Sequence, residues 1–232
     1  MTGAVAFFDV DETLLAGKSM VEFLRYWMTR DGNDDTEFGD AMAELQAVAD
    51  EAGRAAANCA YYRYFARVPS AELAEAGRRW YAQYRRRPDA FVTAAAAALA
   101  GHRAAGDLVV LVSGSCRAVL DPLAADVGAD KVLCTEPVVG ADRRLTGEVD
   151  RSMIGPAKAN AAVRLAGSLG VAPADCFAYG DHASDLDLLT AVGRPRVVGD
   201  DPVLVSWARR RGWPVLSARA TASGGSDQAQ LP

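Results

Sequence analysis

Six short apolar runs punctuate the chain: VAFFDV (5–10), DLVVLVSG (107–114), KVLC (131–134), CFAYGD (176–181), PRVVGD (195–200) and WPVL (213–216). Each is continuously hydrophobic rather than alternating, the pattern of strands covered on both faces in a parallel sheet. Helical periodicity fills most of the intervals. RAVLDPLAADVG (117–128) puts Val119, Leu120, Leu123, Ala124 and Val127 on one stripe and ends at a glycine. PAKANAAVRLAGSLG (156–170) has proline in its first turn and closes on Gly170, and SDLDLLTAVG (184–193) opens on a capping residue. A further helix is expected over 89–105. TEPVVGADRRLTGEV (135–149) breaks the pattern, with two strand-like pieces about Gly-Ala-Asp that predict a hairpin flap.

From about Gly17 to Pro88 the strand rhythm stops. SMVEFLRYWMTR, EFGDAMAELQAVADEAGRAAA, AYYRYFARV and SAELAEAGRRWYAQYRRR all read as helices. The expected architecture is therefore α/β, a Rossmann-like parallel sheet core formed by 1–16 and 89–217. An all-helical cap, 17–88, is inserted into it, and a small, polar, loosely held tail follows over 218–232.

Composition narrows the class. The 232 residues suffice for a sizeable core, and half of them are hydrophobic. A net charge of −5 offers no general attraction to nucleic acid or anionic membranes. No apolar stretch approaches the ~20 residues of a membrane span, AAAAALA (94–100) reading as a soluble helix. No secretory leader pattern opens the chain. Four scattered cysteines without C-x-x-C spacing indicate neither zinc nor a disulfide framework, and point to a reducing cytoplasm. GRRWYAQYRRRP (77–88) mixes arginines with aromatics, which suits single-stranded nucleic acid or, more simply on an acidic chain, a solvated helix face.

The chemistry collects at the strand ends. Asp9 and Asp11 stand two apart where the first strand stops, and Thr13 follows at the same spacing. Two such carboxylates repel each other unless a cation or a catalytic task separates them. The second strand ends at Ser113-Gly114-Ser115, Lys158 falls in a first helical turn after Gly155-Pro156, and CFAYGDHASD brings Asp181 and Asp185. In a parallel sheet these ends share one edge, where ligands bind. Carboxylates for a hard divalent cation, a hydroxyl and backbone N–H groups for an anion, and a lysine suit Mg²⁺ beside a phosphoryl group. Each residue also has a plainer reading: an exposed turn for the aspartates, a helix cap for Ser113, a solvated charge for Lys158, and helix-start complementation for Asp185 and Asp187.

D-x-D-x-T-L-L at 9–15, Ser113 after its strand, Lys158, and G-D-x-x-S-D at 180–185 resemble the four motifs of the haloacid dehalogenase superfamily, in order. The helical insertion between the first two motifs, with SGS, LTGEV and YGDHASDLDLL, is similar to the branch containing phosphoserine phosphatase. The resemblance implies a Mg²⁺-dependent phosphatase acting on a small phosphate ester. Asp9 would be the nucleophile carrying a transient aspartyl-phosphate, and Asp11 the general acid and base. Mg²⁺ would be held by the Asp9 carboxylate, the Asp11 carbonyl and Asp181, with Asp185 as a further ligand or orienting a water. Ser113 and the Gly114 N–H would bind phosphate oxygens, Lys158 would offset charge, and Thr13 would fix the loop and position Asp11. The second aspartate distinguishes this pattern from the family's dehalogenases, which lack it, and its ion pumps, which carry Thr there. A phosphotransferase or mutase, or a binding module with a spent site, are the readings from other classes; the intact carboxylates and Lys158 speak against the last.

Substrate choice is expected from the insertion. Phosphoserine phosphatases usually carry Glu where this chain has Lys18. The reversed charge favours an anionic or polyhydroxylated ester, unless Lys18 only reaches solvent. Arg54, Arg63, Tyr61, Tyr62 and Tyr64 are further candidate contacts, and His182 a local structural or substrate-rim residue. Cys116 beside the phosphate loop reads as packing. The chain is expected to work as a monomer or homodimer.

Overall fold

The computed structural model describes residues 3–32 and 34–218. Its centre is a six-stranded sheet in the order β3-β2-β1-β6-β7-β8, every neighbouring pair parallel. The strands are β1 (Val5–Phe8), β2 (Leu108–Ser113), β3 (Lys131–Cys134), β6 (Phe177–Gly180), β7 (Arg194–Val198) and β8 (Val215–Leu216). Helices α5 (Thr93–Ala105), α6 (Arg117–Val127), α7 (Pro156–Ser168), α8 (Leu186–Thr190) and α9 (Pro202–Arg211) connect them. The continuous apolar runs are explained by the two faces. Ala6, Phe8, Val109 and Leu111 enter one buried cluster, while Val5, Phe7, Val110 and Val112 enter the other. Strand side chains alternate, so a strand buried on both sides must be apolar throughout.

Chain direction reverses its walk through the sheet at β1, which has β2 on one side and β6 on the other. A crevice opens at the carboxyl ends of strands at such a switch point. Asp9 follows β1 directly, its N–H donating to the Tyr179 carbonyl at 3.0 Å. The predicted first strand thus ends at Phe8 rather than at 10, and Asp9 stands just past its carboxyl end, held to β6 by that backbone bond.

Between β1 and α5 lie α1 (Ser19–Thr29), α2 (Thr36–Ala52), α3 (Arg54–Tyr61), a 3₁₀ turn (Tyr62–Phe65) and α4 (Ser70–Tyr84). The predicted long helix 37–57 breaks at Gly53, whose φ of 85° and ψ of 169° are not helical. The stretch predicted as a helix at 60–68 is instead the end of α3 and the 3₁₀ turn. Phe23, Trp27, Tyr62, Phe65 and Trp80 from these helices belong to the same buried cluster as Phe8 and Leu111 of the sheet. The arginine-rich end of α4 is amphipathic: Trp80, Tyr81 and Tyr84 are buried, while Arg78 and Arg79 pair with Glu75 and Arg85 with Asp126.

The predicted hairpin forms as antiparallel β4 (Glu136–Val139) and β5 (Leu145–Arg151), with β5 running beyond the expected end. It also pairs with the helical segment. Arg67 and Ser70 donate backbone N–H groups to Leu145 and Arg143, and Leu145 returns one to Val68. The four cysteines are free thiols. Among the described residues no helix is long and apolar enough to cross a membrane. The expected tail falls, from 219 on, outside the described residues.

Two glycines make close demands on this architecture. Pro122 inside α6 has no N–H for the Ala118 carbonyl, and α4 packs there through Gly77. A Cβ at Gly77 would stand 1.8 Å from that carbonyl oxygen, a backbone atom that cannot swing aside. Gly155, at φ 56° and ψ −127°, turns the chain from β5 into α7 in a conformation that L-residues rarely adopt.

Alanine substitutions separate these effects by sign. Gly77→Ala should destabilise by about 1–3 kcal/mol despite the better helix propensity of alanine. Gly101→Ala, in α5 with no atom within 4 Å of the added methyl, should instead stabilise by about 0.5–1 kcal/mol. Denaturant unfolding of both variants checks the contrast, and a stabilised Gly77→Ala would refute the close approach. Gly155→Ala meets no atom either, so any loss, expected at about 1–3 kcal/mol, is backbone strain alone.

Candidate active site

After β1 the chain makes a tight loop: Leu14 and Leu15 both donate their N–H groups to the Val10 carbonyl, at 3.0 and 2.9 Å. Glu12 in its middle has φ 61°, unusual for a residue with a side chain. The loop buries Leu14, Leu15 and Thr13 and leaves Asp9 and Asp11 presented to the crevice.

One cavity at the carboxyl edge of the sheet is lined by Asp9, Asp11, Lys18, Arg54, Ser113, Gly114, Lys158, Asp181, His182 and Asp185, all sequence candidates. It is small, about 70 Å³. Glu12, Met20, Ile154 and Ser184 complete its wall and were not foreseen. The Met20 position had no sequence signal, since a methionine in α1 reads as core.

Electrostatics dominate the floor. Lys158, 4% exposed, donates to Asp9 Oδ1 at 2.6 Å and to Asp185 Oδ1 at 2.7 Å. Burial alone would push its ammonium pKa down, but the two carboxylates outweigh that and raise it, so Lys158 stays charged. Burial, with the charges of Asp185 and Asp181, pushes the Asp9 carboxyl up against the pull of Lys158. Asp181 is raised to about 6, again chiefly by burial. Asp11 is also raised by burial, opposed by hydrogen bonding from Ser19, whose backbone N–H reaches Asp11 Oδ1 at 2.9 Å.

Thr13 acts elsewhere than expected. Its hydroxyl donates to Asp181 Oδ1 at 2.7 Å and lies 3.3 Å from Asp9 Oδ2, tying the first and last motifs together. Asp11 is held instead by the first residue of α1.

Carboxylate oxygens of Asp9, Asp181 and Asp185 lie within 4.8 Å of one another. Three carboxylates against one buried ammonium leave surplus negative charge, and every donor is a hard oxygen. That set fits Mg²⁺, which takes carboxylates and water and has little use for the nitrogen or sulfur ligands absent from this cluster.

At the end of the neighbouring strand β2, Ser113 is buried and its Oγ accepts the Ser115 N–H at 3.0 Å. That bond leaves the hydroxyl proton free to donate into the cavity. A Cβ at Gly114 would come within 2.5 Å of Ile154 Cδ1, the far end of a side chain that would have to turn aside. Cys116, next along, is fully buried with its thiol pKa raised by burial, as a packing residue would be.

The rim carries the remaining candidates. Lys18 and Glu12 pair at 3.3 Å, both about half exposed. His182 Nδ1 accepts the Ser184 N–H at 3.0 Å and so caps the turn Ala183–Asp185. Arg54, from the first turn of α3, brings a guanidinium nitrogen to 3.2 Å from His182 Nε2, bridging the mouth. Burial first, then Arg54, lowers the His182 pKa and favours the neutral ring.

Four candidates are not brought into the cavity. Arg63 is exposed and packs by its backbone near Gly147 of β5. Tyr61 donates its hydroxyl to the Met20 carbonyl, Tyr62 to the Gly114 carbonyl and Tyr64 to Glu44. Asn58 was missed altogether, although it is buried against the Ser113–Ser115 loop. A single asparagine among alanines gives no periodic signal.

Comparison with known proteins extends the likeness beyond the motifs. A protein of Streptomyces azureus named "Inhibition of morphological differentiation protein" is 44% identical over 122 residues, 53% of this chain and 44% of that protein. The chain thus spans under half the length of the curated relatives it matches first. Phosphoserine phosphatase SerB1 of Mycobacterium tuberculosis is 30% identical over 226 residues, 93% of this chain and 71% of that one. A crystal structure of a protein of unknown function from Bordetella pertussis superimposes with a TM-score of 0.79 at 28% identity, covering 94% of this chain and all of that one. The family model for haloacid dehalogenase-like hydrolases matches residues 6–190, from β1 to the end of α8. With that match spanning all four motifs and the strands β1, β2 and β6 that lead into three of them, the chain belongs to the haloacid dehalogenase-like hydrolase family.

Proposed function

We propose that the protein is a Mg²⁺-dependent phosphatase of small phosphomonoesters, acting through an aspartyl-phosphate on Asp9. One observation carries this reading: the Asp9 carboxylate, held at 2.6 Å by Lys158 within an aspartate cluster, shares a cavity with the Ser113–Gly114 loop. In it 17–88 serves as a cap over the core formed by 1–16 and 89–217.

A phosphate dianion suits this cavity. Ser113 and the Gly114 N–H receive its oxygens, and Lys158 offsets charge on the phosphoryl group and on Asp9. Asp9 attacks phosphorus as the ester P–O bond breaks, and Asp11 gives its proton to the leaving oxygen. Asp11, now a carboxylate, takes a proton from a water that attacks phosphorus. The P–O bond to Asp9 then breaks, releasing phosphate and restoring both carboxyls. Burial raises the Asp11 pKa, the direction an acid role needs. Asp9, Asp181 and Asp185, with the Asp11 carbonyl, would hold Mg²⁺, which when bound polarises phosphoryl oxygens and neutralises their charge. Thr13 and Lys158 hold Asp181, Asp9 and Asp185 in place.

The substrate reading turns on Lys18. The name of the SerB1 relative favours phosphoserine, and Lys18 in the wall of the cavity favours an ester with anionic or hydroxyl groups beyond the phosphate. Lys18 and Arg54 supply positive charge at the mouth, only partly answered by Glu12, and we take the anionic or polyhydroxylated ester as the better fit.

Two measurements test these readings. The purified protein should release phosphate from at least one small ester with Mg²⁺ present, EDTA should abolish this, and Asp9→Asn should remove essentially all turnover. Equal hydrolysis without metal, or an active Asp9→Asn, would sink the mechanism. Lys18→Glu should lower kcat/KM on an anionic ester about ten-fold, the smaller end of the range for a charged contact because Lys18 is half exposed. On phosphoserine it should be neutral or helpful. An unchanged ranking of the two esters would place Lys18 outside substrate recognition.

A further inference from the structure

Separate segments of the chain converge on one buried side chain that the mechanism above does not use. Asn58, 5% exposed on α3 of the helical insertion, donates from Nδ2 to the Gly114 carbonyl at 2.8 Å. Its Oδ1 accepts hydroxyl protons from Thr135, between β3 and β4, at 3.0 Å and from Ser152, just after β5, at 2.8 Å. The Gly114 carbonyl takes a second donor from the insertion, the Tyr62 hydroxyl, at 3.0 Å.

The direction of each bond is fixed by its neighbour. The Gly114 carbonyl can only accept, so Asn58 turns its N–H₂ there and its Oδ1 toward Thr135 and Ser152. The Thr135 hydroxyl, which also accepts the Met153 N–H at 3.0 Å, then donates its proton to Asn58. The Gly114–Ser115 peptide is thereby pinned at both ends: its carbonyl by Asn58 and Tyr62, its N–H by Ser113 Oγ at 3.0 Å. A peptide pinned with its carbonyl toward the insertion leaves the preceding N–H, that of Gly114, and the Ser113 hydroxyl proton free to donate from the two residues that line the cavity.

We propose that Asn58, seconded by Tyr62, is a positioning residue that lets the helical insertion set the aim of the phosphate loop. It touches no reacting atom and acts through the Gly114 carbonyl. The inference rests on Ser113–Gly114 being the phosphate-binding loop. It adds that the loop's geometry is not a property of the sheet alone, but is completed by a residue 56 positions earlier in the chain.

Calorimetric titration of the full-length protein with inorganic phosphate, in saturating Mg²⁺, decides the matter, with Mg²⁺ binding titrated separately. Asn58→Leu, neutral and of similar volume, should weaken phosphate binding about ten-fold or more, and Tyr62→Phe about three-fold. Both should leave Mg²⁺ affinity unchanged, because neither side chain hydrogen-bonds to Asp9, Asp181 or Asp185, and in turnover both should raise KM. If Asn58→Leu unfolds, Tyr62→Phe alone carries the test, since it removes one hydroxyl and no packing. Phosphate affinity within error of wild type in Tyr62→Phe and in any folded Asn58→Leu would overturn the inference. So would parallel losses of phosphate and Mg²⁺ binding, which mark general damage. Wild-type protein that takes up no phosphate would instead overturn the phosphatase reading, and this inference with it.

Discussion

An ammonium group buried between two carboxylates is the constraint around which this molecule is organised. Taking Lys158, Asp9 and Asp185 out of water costs several kcal/mol per ion, and only their mutual contact at 2.6 and 2.7 Å offsets it. Losing one partner would strand the others, so the three segments that carry them must meet accurately. Parallel strands make this possible, since β1 and β6 end on the same edge, and Gly155 turns α7 so that its first turn faces them. The charge that remains is negative, which is why the cluster suits a divalent cation rather than a further lysine.

The helical insertion is bound to this edge more firmly than a tethered cover would be. Its aromatic residues share one buried cluster with the sheet, its 67–70 segment hydrogen-bonds to β5, and Gly77 lets α4 approach the backbone of α6. Among its described residues only Lys18, Met20 and Arg54 line the cavity. The insertion's share of the cavity is therefore confined to a narrow rim, where Arg54 already leans on His182.

Much of this was legible in the residues themselves. Doubly buried strands must be apolar throughout, so VAFFDV and DLVVLVSG announced a parallel sheet, and the polar residues that stop them announced its working edge. Asp9, Ser113, Lys158, Asp181 and Asp185 were readable because each interrupts a pattern. What the pattern could not convey was contact across the fold. Thr13 belongs with Asp181 rather than Asp11, a pairing that depends on how two loops close. Asn58 sits in a run of small residues and gains meaning only where the Gly114 carbonyl meets it. Arg63 and Tyr64 looked like contacts by residue type, yet point away from the cavity because the chain enters a 3₁₀ turn after α3. The break at Gly53 was hidden because glycine within a helical pattern is tolerated as often as it ends one.

The order of the segments has a consequence for how the molecule assembles. Asp9 meets Lys158 across 149 residues and Thr13 meets Asp181 across 168, while β1 waits for the whole insertion before β2 arrives to pair with it. Contacts so remote in sequence must bear the entropy of closing long loops before they reward it, and they form late. During synthesis β1, with Asp9 at its end, emerges first and stays a bare apolar segment until β2 follows some hundred residues later. The charged cluster is accordingly among the last features to close. A chain halted short of β6 would carry Asp9 and the Ser113–Gly114 loop, yet lack Asp181 and Asp185.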